Sequence, residues 1–150
     1  MEQKFRQLIY EFCELTSLDE PEIIAEGKSF NVDEVECAII YQSYIAPEHI
    51  HCYIDFGLPP RDQLDVVYDH LLKANYLQFA STKSNFSLSP HTGHVILTTV
   101  IPLNEATGKM LIDHLAHHAQ QALSWRINYL LADPGAIDPM SVNSNRMPYP

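Results

Sequence analysis

Phe5, Leu8, Ile9, Phe12 and Leu15 recur at helical spacing near the N-terminus, which predicts a first amphipathic helix ending near Ser17. Asp19-Glu20-Pro21 breaks it. From Ile23 to Phe56 the period changes and β-branched and aromatic residues come in runs, interrupted at Val32-Asp33-Glu34 and at Ala46-Pro47-Glu48. Three antiparallel strands are expected, Ile23 to Val32, Val35 to Tyr44 and His49 to Phe56. Gly57-Leu58-Pro59-Pro60-Arg61-Asp62 reads as a loop and a helix start, because proline is tolerated in the first turn and Asp complements the helix dipole there. Leu64, Val67, Tyr68, Leu71 and Leu72 continue this second helix to Asn75.

A hairpin follows, with Phe86 to Ser89, the turn Pro90-His91-Thr92-Gly93, and a strand from His94 to Ile101. Pro102 ends that strand. Leu111, Leu115, Ala119, Ala122, Leu123, Ile127, Leu130 and Leu131 then mark a last helix from Asn104 to Ala132. The order is helix, three strands, helix, two strands, helix, so residues 1–132 should form one α+β domain whose antiparallel sheet is covered by helices. Residues 133–150 hold four of the ten prolines and read as a flexible C-terminal tail.

The strands carry an anomaly. Val35, Cys37, Ile39 and Tyr41 line one face of the second strand, yet Ala38, Ile40 and Tyr44 make the opposite face apolar too. Phe30 and Val32 of the first strand and Tyr53 of the third are grouped with this second set, opposite the inward Ile50, Cys52, Ile54 and Phe56. The strand from His94 sets Ile96, Thr98 and Val100 against Val95, Leu97, Thr99 and Ile101. A sheet with one wet side should alternate cleanly between apolar and polar. The second face is therefore expected to meet another helix of the same domain, another subunit or a peptide.

Charge narrows the partners. Nine Lys and Arg against nineteen Asp and Glu give a net charge of -10, which repels phosphate backbones and anionic lipid heads. Neither nucleic acid nor membrane insertion is expected. The N-terminal stretch mixes charged residues with its apolar ones and lacks the unbroken run of a signal peptide. Cys13, Cys37 and Cys52 are too widely spaced for a zinc knuckle and read as small core residues in a reducing cytoplasm.

Candidate chemistry is sparse. His114, His117 and His118 lie at helical spacing on the last helix, where two imidazoles at i and i+4 can bind zinc. Leu115 stands where H-E-x-x-H needs a glutamate. The three histidines are therefore read as a polar helix face in water. No G-x-S-x-G and no phosphate-binding glycine loop is present. No cofactor, metal or catalytic residue is expected.

The element order and several local motifs resemble the class I type III secretion chaperones of the CesT/Tir chaperone family. The similar features are Gly57-Leu58-Pro59-Pro60, Leu71-Leu72-Lys73-Ala74-Asn75, the hairpin Ser87 to Leu97, and the last helix with Leu111, Leu115 and Ala122 leading to Trp125-Arg126. The resemblance implies a non-enzymatic homodimer of the bacterial cytoplasm. Its partner would be the N-terminal chaperone-binding segment of a secreted effector, with the export ATPase of the secretion machine as a further partner. On this reading the effector meets Phe30, Val32, Ala38, Ile40, Tyr44 and Tyr53. The dimer interface includes Tyr68 and Leu72 of the second helix and Ile96 and Thr98 of the last strand, a region that the family uses for dimerisation. A small-molecule or lipid-binding α+β domain, with the same sheet face as a pocket wall, is the alternative reading. A histidine metal enzyme ranks third.

Overall fold

Phe5, Leu8, Ile9, Phe12 and Cys13 fall on one side of α1 (Glu2–Thr16), and all five are buried. The computed structural model describes residues 1–131, apart from the side chains of residues 79 and 80. The expected tail, residues 133–150, lies outside the described residues. After α1 come α2 (Pro21–Ala25), β1 (Phe30–Val32), β2 (Val35–Tyr41), β3 (His49–Gly57), α3 (Leu64–Thr82), β4 (Asn85–Leu88), β5 (Val95–Pro102) and α4 (Gly108–Asn128). The five strands form one sheet in the order β1-β2-β3-β5-β4, and every neighbouring pair is antiparallel. The α+β class and the expected order of the principal elements are thus present.

Several boundaries differ from the sequence reading, among them the end of the last helix, which stops at Asn128. Ile23 does not begin a strand, because Pro21 starts the short helix α2 and Gly27 turns the chain at φ +94° before β1. β2 stops at Tyr41, and residues 43–45 form a turn. α3 runs past Asn75 to Thr82, since the sequence offers no breaker there. α4 starts at Gly108, where the Thr107 side chain caps it by accepting a hydrogen bond from the Met110 N–H, a standard way to satisfy a first-turn donor.

The core lies between α1, α4 and one face of the sheet. α4 packs across β3, β2 and β1, and α1 packs against α4. Ile39, Ile50, Cys52, Ile54, Phe56, Leu97, Leu111, Leu115 and Trp125 are all almost completely buried in this layer. Burying a large apolar side chain contributes about 1.5–3 kcal/mol relative to leaving it in water. At the end of β3 the register slips between Asp55 and Gly57. Arg126 of α4 grips that irregularity, donating to the carbonyls of Phe56 (2.9 Å) and Asp55 (2.8 Å). Gly57 is required there, with φ +100° and the Arg126 Nε only 3.3 Å from where a Cβ would stand. Trp125, next in sequence, packs its ring against Phe56 and Tyr129.

Of the histidines of α4, His117 is exposed as expected, but His114 and His118 do not face water. His114 and His118 flank the buried line of Leu111, Leu115, Ala119 and Ala122, and both are half-buried. His114 Nε2 lies 2.7 Å from the hydroxyl of Thr99, a buried residue of β5. His118 Nδ1 is hydrogen-bonded to Gln121, and its ring meets that of His114 edge to face. The apolar stripe of α4 is narrow, so positions beside it still rest on the sheet. Burial, then the neighbouring His118 and His117, push the His114 pKa down to about 4. Burial lowers that of His118 as well.

His114 should therefore make the fold sensitive to acid. Its folded-state pKa of about 4 is below the ordinary 6.5, so between those values the unfolded chain binds the proton more readily. Stability is complete above pH 6.5 and is lost as the pH falls through the window. The expected loss is roughly 1–2 kcal/mol, discounted for the part of the ring that water still screens. Thermal unfolding at pH 7.5 and pH 4.5 measures it. In His114→Gln the gap between the two melting temperatures should shrink; an unchanged gap would place the acid sensitivity elsewhere.

Candidate functional site

Strand alternation divides the sheet sharply. In β2, β3 and β5 every inward residue is buried except Tyr41, at the end of β2, and no outward residue is. The pairing registers join the outward residues into rows. Ala38 is opposite Tyr53, Tyr53 opposite Thr98, and Thr98 opposite Asn85. Ile40, His51 and Val100 form a second row, and Asp55, Ile96 and Ser87 a third. Among the described residues, α1 and α4 pack on the inner side, α3 packs against β4 and the short α2 against β2, so none of the three long helices lies across these rows. The face is open and its centre is apolar, with Tyr53 38% exposed.

The structure brings together residues that the sequence reading assigned to two different partners. Ala38, Ile40 and Tyr53, expected at the effector, share this face with Ile96 and Thr98, expected at the dimer interface. Phe30 and Val32 do not belong to it. They pair with Cys37 and Val35 on the inner face, where Phe30 is buried against Phe12 and Val32 packs on the core. The two-residue turn Asp33-Glu34, with φ +48° and +68°, fixes that pairing. A two-residue hairpin loop pairs its flanking residues directly, so Val32 must share the face of Val35. That constraint was available in the sequence. Tyr44 is off the face altogether, fully exposed in the β2–β3 turn beside the exposed Ile45.

Ile40 shows how tightly the face is bordered on the β1 side. Its Cδ1 lies 2.9 Å from where a Cβ on Gly27 would stand, so the chain passes there only because residue 27 is glycine. At the opposite side stands α3, apolar on more than one side. Val67, Leu71 and Ala74 are buried, whereas Leu72 (68% exposed), Tyr76 and Leu77 point to water and line a cleft of about 520 Å³ with Asp69 and Lys73. Lys73 pairs with Asp69 one turn earlier, 2.8 Å away. Tyr68 instead leans on the core and is half-buried. A helix with apolar residues outside its core stripe implies a second covering surface.

Of the titratable groups on the open face, Asp55 stands toward one end and His51 between Ile40 and Val100. Asp55 accepts the Gly57 N–H at 2.8 Å and holds His94 Nδ1 at 2.8 Å. His51 has its pKa lowered by burial and by the neighbouring His49. Neither group is paired with a nucleophile. Burial raises the thiols of Cys37 and Cys52 to about 12, which leaves almost no reactive thiolate at neutral pH. Among the described residues no three His, Cys, Asp or Glu side chains are placed to hold a metal ion. The arrangement is suited to apolar contact and to backbone pairing.

Comparison with known proteins agrees with this architecture. Solved structures of the same fold include the ExsC–ExsE complex, with a TM-score of 0.67, 18% identity, and coverage of 89% of this chain and 98% of that one. The HopA1–SchA chaperone–effector complex gives a TM-score of 0.59 at 15% identity, covering 83% of this chain and 94% of that one. The Yersinia pestis type III secretion chaperone SycH, solved with a stable fragment of YscM2, gives 0.53 at 19% identity over 80% of this chain and 98% of that one. No curated protein matches the chain. The model of the Tir chaperone protein (CesT) family matches residues 7–126, from within α1 to near the end of α4. With that match over most of its length, the chain belongs to the Tir chaperone protein (CesT) family.

Proposed function

We propose that the protein is a non-enzymatic chaperone of the bacterial cytoplasm that holds the N-terminal chaperone-binding segment of a type III secretion effector. The observation that carries this reading is the open apolar face formed by Ala38, Ile40, Tyr53, Ile96 and Val100, in a chain of the CesT family. Ordering a disordered segment costs conformational entropy, and coupled folding and binding typically buries on the order of 1,000–3,000 Å² to offset it. An extended apolar face can supply such area at roughly 25 cal/mol per Å². Two structures of the same fold are also chaperones solved with a bound partner.

The face is divided in this proposal along β3. Ala38, Ile40 and Tyr53 receive the client. Ile96 and Thr98, with Leu72 and Tyr68 of α3, meet a second copy of the chain in a two-fold dimer. Phe30 and Val32 act from beneath, supporting β1 and β2 from the core side. Delivery to an export ATPase belongs to the same proposal. No helix of the described residues is long and apolar enough to cross a membrane.

Client binding is tested with the N-terminal segment of a type III secretion effector from the same bacterium as the probe. Ile40→Asp should weaken its capture by about 1–3 kcal/mol, because a charge would enter a desolvated contact. Tyr53→Asp should do the same at a more exposed position, with less effect on thermal unfolding. Unchanged capture by both variants would move the client off this face. Leu72→Glu should convert a particle of twice the 17.1 kDa chain mass into monomer, read by size exclusion with light scattering at micromolar concentration. A dimer that survives would remove α3 from the interface.

A further inference from the structure

The two edges of the sheet are treated differently. β4 is one edge and β1 the other. On β4, the Ser89 N–H donates to the His94 carbonyl at 2.9 Å. In the β4–β5 register this makes Ser87 and Ser89 residues that bond to β5, and it turns the backbone groups of Phe86 and Leu88 away from the sheet. Such groups are what an added strand pairs with.

Asn75 of α3 occupies that position. Its Oδ1 accepts the Phe86 N–H at 2.6 Å, and its Nδ2 donates to the Phe86 carbonyl at 3.0 Å. One carboxamide thereby makes both bonds that a residue of a sixth strand would make. The assignment of the amide oxygen and nitrogen follows from the partners, since an N–H requires the oxygen and a carbonyl the nitrogen. Ala74, next to it, is buried, and α3 packs on β4, so the amide is held in place from both sides. At the β1 edge the two-residue turn makes Val32 and Val35 a bonded pair, which directs the backbone groups of Asn31 outward. Asn31 is exposed, and no side chain among the described residues makes the corresponding bonds to it.

The occupant that Asn75 excludes is a second copy of this chain. Two uncovered β4 edges are self-complementary, because antiparallel pairing about Phe86 would let each Phe86 supply one N–H and one carbonyl to the other around a two-fold axis. We propose that Asn75 is an edge lock. It acts as a one-residue strand that denies β4 to another copy. This does not rest on the client assignment, and its test contains no client.

Purified Asn75→Ala is followed by size exclusion with light scattering over a range of concentrations, and by hydrogen exchange at the Phe86 amide. The expected result is faster exchange at that amide at the lowest concentration, where the edge is bare, and species larger than wild type that grow with concentration and protect the amide again. Adding Leu88→Pro should abolish them, since proline removes the outward N–H at position 88 and spares the bonds that Ser87 and Ser89 make to β5. Asn75→Asp keeps the acceptor for Phe86 N–H and loses the donor, so it should associate to a smaller extent; it also serves if the alanine variant fails to fold. Wild-type size at every concentration in the folded variants, whatever their melting temperatures, overturns the proposal. So do larger species that persist with Leu88→Pro.

Discussion

The structure depends on an imbalance between the two faces of its sheet. α1 and α4 cover one face so completely that Ile39, Ile50, Cys52, Ile54 and Phe56 lose essentially all contact with water. Among the described residues, none of the three long helices lies across the other face. With a side-chain period of two, a slip of one residue in any strand would move its inward set into water and its outward set into the core. The register of β2, β3 and β5 is therefore fixed by burial alone. The outward residues are left free to be chosen for a partner, and in the middle of the sheet they are Ala38, Ile40, His51, Tyr53, Thr98 and Val100.

Where that burial signal is strong, the sequence is legible. The inward sets of β2, β3 and β5, the amphipathic α1 and the hairpin turn before His94 all follow from periodicity and turn chemistry. It fails where local chemistry is ambiguous. Ile23 and Ile24 are good strand residues, and tertiary packing of Ile24 against the core holds them in a helical turn instead. Phe30 and Val32 are misassigned from sequence because Asp33-Glu34 lacks the glycine that marks a tight hairpin. Both residues nevertheless adopt positive φ there. The length of that loop, not its composition, carried the information.

The histidines illustrate a different limit. Helical periodicity identifies the centre of a buried stripe but not its width, which depends on how closely the helix lies on the sheet. His114 and His118 are at the margin of that stripe, where a polar ring is kept by one hydrogen bond to a neighbour, Thr99 or Gln121. Asn75 is a comparable case at the sheet edge. Its residue type fits the end of a helix, and only the approach of β4 gives its amide two backbone partners. Polar groups that complete a fold in this way have no periodic signature.

The chain contains a single tryptophan, and its position separates two events optically. Trp125 sits at the seam between α4 and the end of β3, with its ring against Phe56 and Tyr129 and 1% of its surface in water. Its emission reports whether the helices remain seated on the inner face. A molecule that settles on the outer face adds no quencher and no water to that environment. Tryptophan emission is thus a built-in channel for loss of the core, separate from the opposite surface, where Tyr53 stands.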